Sequence, residues 1–114
     1  MAWLKEFSGM KILEVNNGVV KEFAKGISYR IEDGKVNEFS GKVLYLIERD
    51  EIKKYSGQII LRFDGNWLKD FYGRKLYEVS NGTIKEFSGQ IIYRIDGFLS
   101  RVELMGLLAI LFAS

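Results

Sequence analysis

The sequence predicts a mainly β fold: an up-and-down barrel of about twelve short antiparallel strands around a hydrophobic C-terminal α-helix. Three observations predict it. A 16-residue unit repeats six times over residues 3–98. Each copy carries two glycine-bearing turn signals that separate segments rich in Ile, Val, Tyr and Phe, residues suited to a pleated, half-buried surface. Residues 99–114 abandon the repeat for an apolar run. A repeat this strict specifies an architecture, because each copy must bury the same face against its neighbours. It specifies no chemistry.

The clearest landmark of the unit is Lys5-Glu6-Phe7-Ser8-Gly9, which returns as Lys21-Glu22-Phe23, Asn37-Glu38-Phe39-Ser40-Gly41, Lys53-Lys54-Tyr55-Ser56-Gly57, Lys69-Asp70-Phe71-Tyr72-Gly73 and Lys85-Glu86-Phe87-Ser88-Gly89. The second turn signal is Asn17-Gly18, Asp33-Gly34, Asp64-Gly65, Asn81-Gly82 and Asp96-Gly97. Asn-Gly and Asp-Gly are strong hairpin signals because both central residues of a type I′ turn need positive φ. Each copy therefore reads as two antiparallel strands.

Four positions per copy are always apolar, at Leu4, Phe7, Leu13 and Val15 in the first copy and at Ile84, Phe87, Tyr93 and Ile95 in the last. Tyr93 and Ile95 are two apart and share a face. Ile84 and Phe87 are three apart, which strict alternation would place on opposite faces. Either a glycine bulge at Ser88-Gly89 or a Phe87 seated in the turn and folded over the sheet end resolves this. Copies one and five are near duplicates, with Trp3-Leu4-Lys5 matching Trp67-Leu68-Lys69 and Lys11 matching Lys75.

Ser100-Arg101-Val102-Glu103 is a capping box, and the run that follows to Ala113 predicts a helix over residues 101–113 in which Gly106 is the one weak helix former. Beyond Glu103 this helix has no polar face, so it must be buried all round. A bilayer crossing needs about 20 apolar residues, which leaves a core helix as the leading reading and an interfacial anchor or an oligomer seam as alternatives. Geometry favours the core. Twelve strands about 4.8 Å apart and tilted by about 40° close into a barrel of radius near 12 Å, roughly the distance at which a helix packs on a sheet. Closure also removes exposed edges, although an open sheet stacked on a second copy satisfies the same repeat.

This architecture resembles the Tubby C-terminal-like superfamily, which includes the Tubby domain, the phospholipid scramblases and the LURP-one-related proteins. LURP-one-like hairpins follow Ile-x-Asp-x-x-Gly-x-x-Val-Tyr-x-Val. Ile84, Glu86, Gly89, Ile92, Tyr93 and Ile95 fall at that spacing, as do Val36, Glu38, Gly41, Leu44, Tyr45 and Ile47. The resemblance implies a barrel around a central helix. The Tubby domain binds phosphoinositides through basic residues of its outer wall, so the resemblance also implies a peripheral membrane protein that binds anionic phospholipid. No motif carries individual Tubby residues onto this chain.

Composition narrows the function classes. The 114 residues form a single domain, 1–114, with 47% apolar and 28% charged residues. Seventeen basic and fifteen acidic residues leave a net charge of +2, too little for a nucleic-acid partner through bulk electrostatics. There is no His and no Cys, so His- and Cys-based zinc sites, Ser-His-Asp triads and Cys-His dyads are excluded. Carboxylate neighbours such as Glu32-Asp33 and Asp50-Glu51 fall at wet turn tips, where nothing raises one pKa as acid–base catalysis requires.

The lysine series Lys5, Lys21, Lys53, Lys69 and Lys85 recurs at one height of the repeat and is the candidate surface for anionic lipid. Adjacent Glu6, Glu22, Glu38, Asp70 and Glu86 cancel much of its field. The expectation is a non-catalytic barrel module with a structural or protein-interaction role, not an enzyme, with no catalytic, cofactor or metal residues. Its partner is an unknown protein, itself or an anionic membrane surface, and not nucleic acid. The N-terminus lacks the apolar stretch of a secretory signal, which predicts a cytoplasmic, at most membrane-peripheral, location.

Overall fold

A computed structural model describes residues 1–23 and 26–113; Ser114 of the predicted tail lies outside the described residues. Each repeat forms two strands. The first three give β1 (Ala2–Glu6), β2 (Lys11–Asn16), β3 (Val19–Glu22), β4 (Gly26–Glu32), β5 (Lys35–Glu38) and β6 (Val43–Glu48). The next three give β7 (Glu51–Lys54), β8 (Ile59–Asp64), β9 (Trp67–Asp70), β10 (Lys75–Ser80), β11 (Thr83–Glu86) and β12 (Ile91–Gly97). Every strand pairs antiparallel with its sequence neighbours, and β1 pairs with β12, so the barrel closes within one chain. The closing register sets Leu4 opposite Ile95, while β2 sets Leu13 against the other side of Leu4.

The odd strands are short, and each supplies one deep core residue: Leu4, Val20, Val36, Ile52, Leu68 or Ile84, none more than 1% exposed. The even strands are longer and supply pairs two residues apart, such as Leu13 with Val15 and Leu61 with Phe63. The Tyr29, Tyr45, Tyr77 and Tyr93 series packs half-buried against this core.

α1 (Arg101–Phe112) fills the barrel. Met105, Leu107, Leu108 and Ala109 are buried together with the strand core. The capping box forms as predicted: the Ser100 hydroxyl accepts the Glu103 N–H, and Glu103 accepts the Ser100 N–H. The start of α1 is tied to the wall. Arg101 Nη2 donates to the Phe63 carbonyl at 2.6 Å and to Asp50 Oδ1 at 3.0 Å, and Glu103 Oε2 accepts the Gly18 N–H at 3.1 Å. From there the axis runs through the barrel to Phe112, which stacks on Tyr77 at the opposite mouth.

The mouth where α1 starts carries the tight hairpins. Asn17-Gly18, Asp33-Gly34 and Asn81-Gly82 have positive φ at both residues, as a type I′ turn requires. Two of the predicted turns differ. The pair between β8 and β9 is Gly65-Asn66, one residue later than Asp64-Gly65, because Asp64 still pairs with Trp67. Asp96-Gly97 forms no hairpin: both residues extend β12 against Trp3 and Ala2, because closing the barrel takes up the last strand fully. Arg49-Asp50 makes a turn without glycine, with Arg49 at φ 58°. Each of these turns is fastened to the next repeat by its carbonyl, as where Gly18 O accepts the Ile31 N–H at 2.6 Å.

Candidate docking surface: the aromatic mouth

The other mouth is built from the landmark motif. In the first copy the Glu6 carbonyl accepts the Gly9 N–H, and the Glu6 N–H donates to the Met10 carbonyl, both at 2.8 Å. This is a β-turn with Phe7 and Ser8 at its centre, closed by a glycine of positive φ, and it recurs around Phe39, Tyr55, Phe71 and Phe87. Within the hairpin the register then slips by one residue. Leu4 faces Leu13 but Lys5 faces Lys11, leaving Ile12 as the extra residue. The same slip leaves out Ser28, Leu44, Ile60, Leu76 and Ile92 in the other copies. Both devices that reconcile Ile84 with Phe87 are thus present, with Phe87 in the turn and glycine at its end.

The consequence is that the most regular hydrophobic position of the repeat is not core. Phe7, Phe23, Phe39, Tyr55, Phe71 and Phe87 are 54–69% exposed. They form a rim round one mouth, and backbone bonds hold them there: the Phe23, Phe39 and Phe87 N–H groups donate to the carbonyls of Ile12, Ser28 and Leu76 on the neighbouring hairpin. Several rings lie against the outer wall. Phe23 stacks on Trp3 at 5.6 Å with Lys11 Nζ 4.4 Å over the same indole. The duplicate copy repeats this with Phe87 at 6.1 Å from Trp67 and Lys75 at 4.6 Å. Arg94 covers Phe7 at 5.5 Å. Cations over ring faces are attracted by the ring quadrupole, so these side chains hold one another in place.

Inside the rim, half-buried Ile110, Leu111 and Phe112 end the helix. Open clefts separate them from the wall, one lined by Phe7, Tyr77, Tyr93 and Phe112 and another by Met10, Ile12, Phe23 and Leu111. Tyr45 stands at the same level, its phenol pushed up by burial and by neighbouring Tyr29. The acidic residues preceding the rings are engaged locally. Ser8, Ser40 and Ser88 donate to Glu6, Glu38 and Glu86, and Asp70 accepts from the Arg74 guanidinium at 2.8 Å and from the Tyr72 and Arg74 amides. These bonds, Arg74 foremost, hold the Asp70 carboxyl below the usual range.

The predicted lysine series lies on the outer wall, at one height beneath the rim. Lys5 pairs with Asp96 at 3.0 Å, Lys69 with Asp64 at 3.0 Å, and Lys53 with Glu48 and Glu51 at 3.2 and 3.7 Å. Their side chains are only 19–24% exposed, so they lie along the wall with their partners more open to solvent. Lys21 and Lys85 stand opposite Glu14 and Glu78 in the ladder. Sequence reasoning singled out these lysines and missed the rim, although an aromatic followed in every copy by a glycine two or three residues on was a signal for it. Among the described residues no helix is long and apolar enough to cross a membrane. No protein-family model, curated protein or solved structure matches the chain.

Proposed function

We propose that this protein is a non-catalytic interaction module that docks end-on through its aromatic rim. One observation carries the reading: six aromatic rings stand more than half exposed at the equivalent point of all six repeats, around one mouth. Exposed aromatic surface gathered in one place marks a contact surface, whereas singly scattered apolar residues need no explanation. Aromatic side chains are also the residues that dominate interface energetics.

The test is site-specific photo-cross-linking in cells. A photoreactive phenylalanine analogue at Tyr55, on the rim, is expected to give an adduct that the same group at Asn81, on the opposite mouth, does not. Adducts at Asn81 alone, or at neither position, would remove the reading.

A second reading is a peripheral membrane protein that binds anionic phospholipid through Lys5, Lys21, Lys53, Lys69 and Lys85. The common height of the five lysines supports it, and their carboxylate partners weaken it. Kinship with the Tubby C-terminal-like superfamily belongs to the same reading and is supported by the barrel closed around a C-terminal helix. Binding to anionic vesicles that is lost on replacing these lysines by Gln is the result that this reading requires.

A further inference from the structure

We propose that the surface on which the aromatic rim docks is the headgroup layer of a phospholipid bilayer, with the barrel axis along the membrane normal; this rests on the end-on docking reading above.

The first reason is shape. The rings sit at six equivalent points around one mouth and so describe a single closed rim. A partner that engages all six equally must be flat and uniform over a barrel some 33–34 Å across. A bilayer is such a partner, because it presents the same chemistry to every sector of the rim. The second reason is composition. Five Phe rings and one Tyr, with basic side chains beside them, suit the boundary of acyl chain and headgroup, where apolar ring faces bury shallowly and long basic side chains reach the headgroups.

Charge complementarity is the third reason. Lys42 and Lys54 stand exposed beside the turns of this mouth and are available to lipid phosphates, while Lys11 and Lys75 lie over Trp3 and Trp67 and Arg74 pairs with Asp70. The carboxylates of Glu6, Glu38 and Glu86 are engaged by serine hydroxyls, and that of Asp70 by Arg74. The wall sets the depth. Beneath the rim it carries the ion pairs of Lys5, Lys53 and Lys69, so the barrel rests on the bilayer by its end and does not sink through it.

The experiment is flotation of the full-length protein with phosphatidylcholine vesicles, and with phosphatidylcholine mixed with phosphatidylserine, at low and high salt. Binding to both is expected, a few-fold tighter with phosphatidylserine at low salt, and the phosphatidylcholine component should survive high salt. Replacing Phe7, Phe39 and Phe87 by Ser together should weaken that component by at least about tenfold, since each exposed ring that leaves water contributes. Phe39→Trp is the independent readout: its emission should shift to the blue on vesicles and be quenched by lipid brominated in the acyl chain. No flotation with either vesicle, or unquenched Trp, overturns the proposal. Binding to anionic vesicles alone, abolished by salt, overturns it in favour of the lysine wall. A Tyr55 adduct to a protein without vesicle binding overturns the bilayer as occupant and leaves end-on docking standing. Absence of both removes the two together.

Discussion

The Glu103 carboxylate accepts the amide of Gly18, 85 residues away, at 3.1 Å, while its other oxygen closes the capping box on Ser100. One side chain thus joins the first turn of the central helix to the first tight hairpin of the wall. Burial works to raise the Glu103 pKa, but the bonds from the Ser100 amide and hydroxyl and from Gly18 outweigh it and hold the carboxyl below its ordinary 4.5. A depressed folded-state pKa contributes stability that is present above the unfolded value and lost as pH falls through the folded one. The wild-type protein should therefore lose melting temperature below about pH 4.5 by more than Glu103→Gln does, and the gap between the two should narrow on acidification. Glu103→Ala, which leaves the Gly18 amide short of a partner, should cost about 1–3 kcal/mol at neutral pH in a urea titration. A gap that stays constant with pH would show that the carboxylate charge is not what the cap uses.

Gly106 faces Ile31 of β4 so closely that a Cβ built on it would lie 2.6 Å from Ile31 Cδ1, 2.9 Å from Cγ1 and 3.0 Å from Cγ2. Three atoms of one β-branched side chain cannot all be avoided by turning its tip. Alanine would improve helix propensity by about 1 kcal/mol, yet overpacking costs about 1–3 kcal/mol, so Gly106→Ala should be destabilising by about 1 kcal/mol. Ile31→Val in the same chain should return part of that loss, and the double-mutant cycle measures the coupling. Additive effects would mean that the helix shifts away from β4 instead of pressing on Ile31.

These two contacts show what the sequence can and cannot express. The hairpin repeat, the closed barrel, the capping box and the buried helix are local or periodic and are legible in Ser8-Gly9, Asn17-Gly18, Ser100 and Glu103. Gly106 looks like a weak point of the helix in sequence because its reason, Ile31, is 75 residues away and reaches it only when the barrel closes. The facing of the aromatic position stays open in sequence for a related reason. Phe87 and Ile84 are equally invariant in character, and periodicity alone cannot tell a residue that ends a strand facing in from one that begins a turn facing out. The one-residue slip at Ile92 and the bond from Gly89 to Glu86 decide it, and both belong to pairing geometry. The lysines were legible as a series, but Lys5–Asp96 is a contact across the closure of the barrel, 91 residues apart.

If the rim rings serve contact and not the core, removing one should leave the fold indifferent. Phe39 is 60% exposed, and Phe39→Ser should change unfolding free energy by no more than about 0.5 kcal/mol. Leu108 is fully buried inside the barrel, and Leu108→Ala should cost about 2–5 kcal/mol. Denaturant titrations of the two variants side by side give the comparison. A loss at Phe39 comparable to that at Leu108 would place the ring among the residues that hold the barrel, and the rim would no longer stand out as a surface kept apolar for a partner.

Lys53 separates the roles of wall and rim most cleanly. It lies between Glu48 and Glu51, and Glu51 also accepts Arg62 Nη1 at 2.9 Å, so removing the ammonium leaves Glu51 with a cation. Ion pairs on a wet wall contribute little because water and salt screen them and holding two long side chains together costs entropy. Lys53→Gln should therefore alter stability by less than about 0.5 kcal/mol, an effect that fades further at high salt. It should also leave flotation with phosphatidylcholine vesicles unchanged, because the ammonium is already committed to its neighbours beneath the rim. A large loss of vesicle binding in this variant, with stability intact, would shift the contact from the aromatic mouth to the lysine wall.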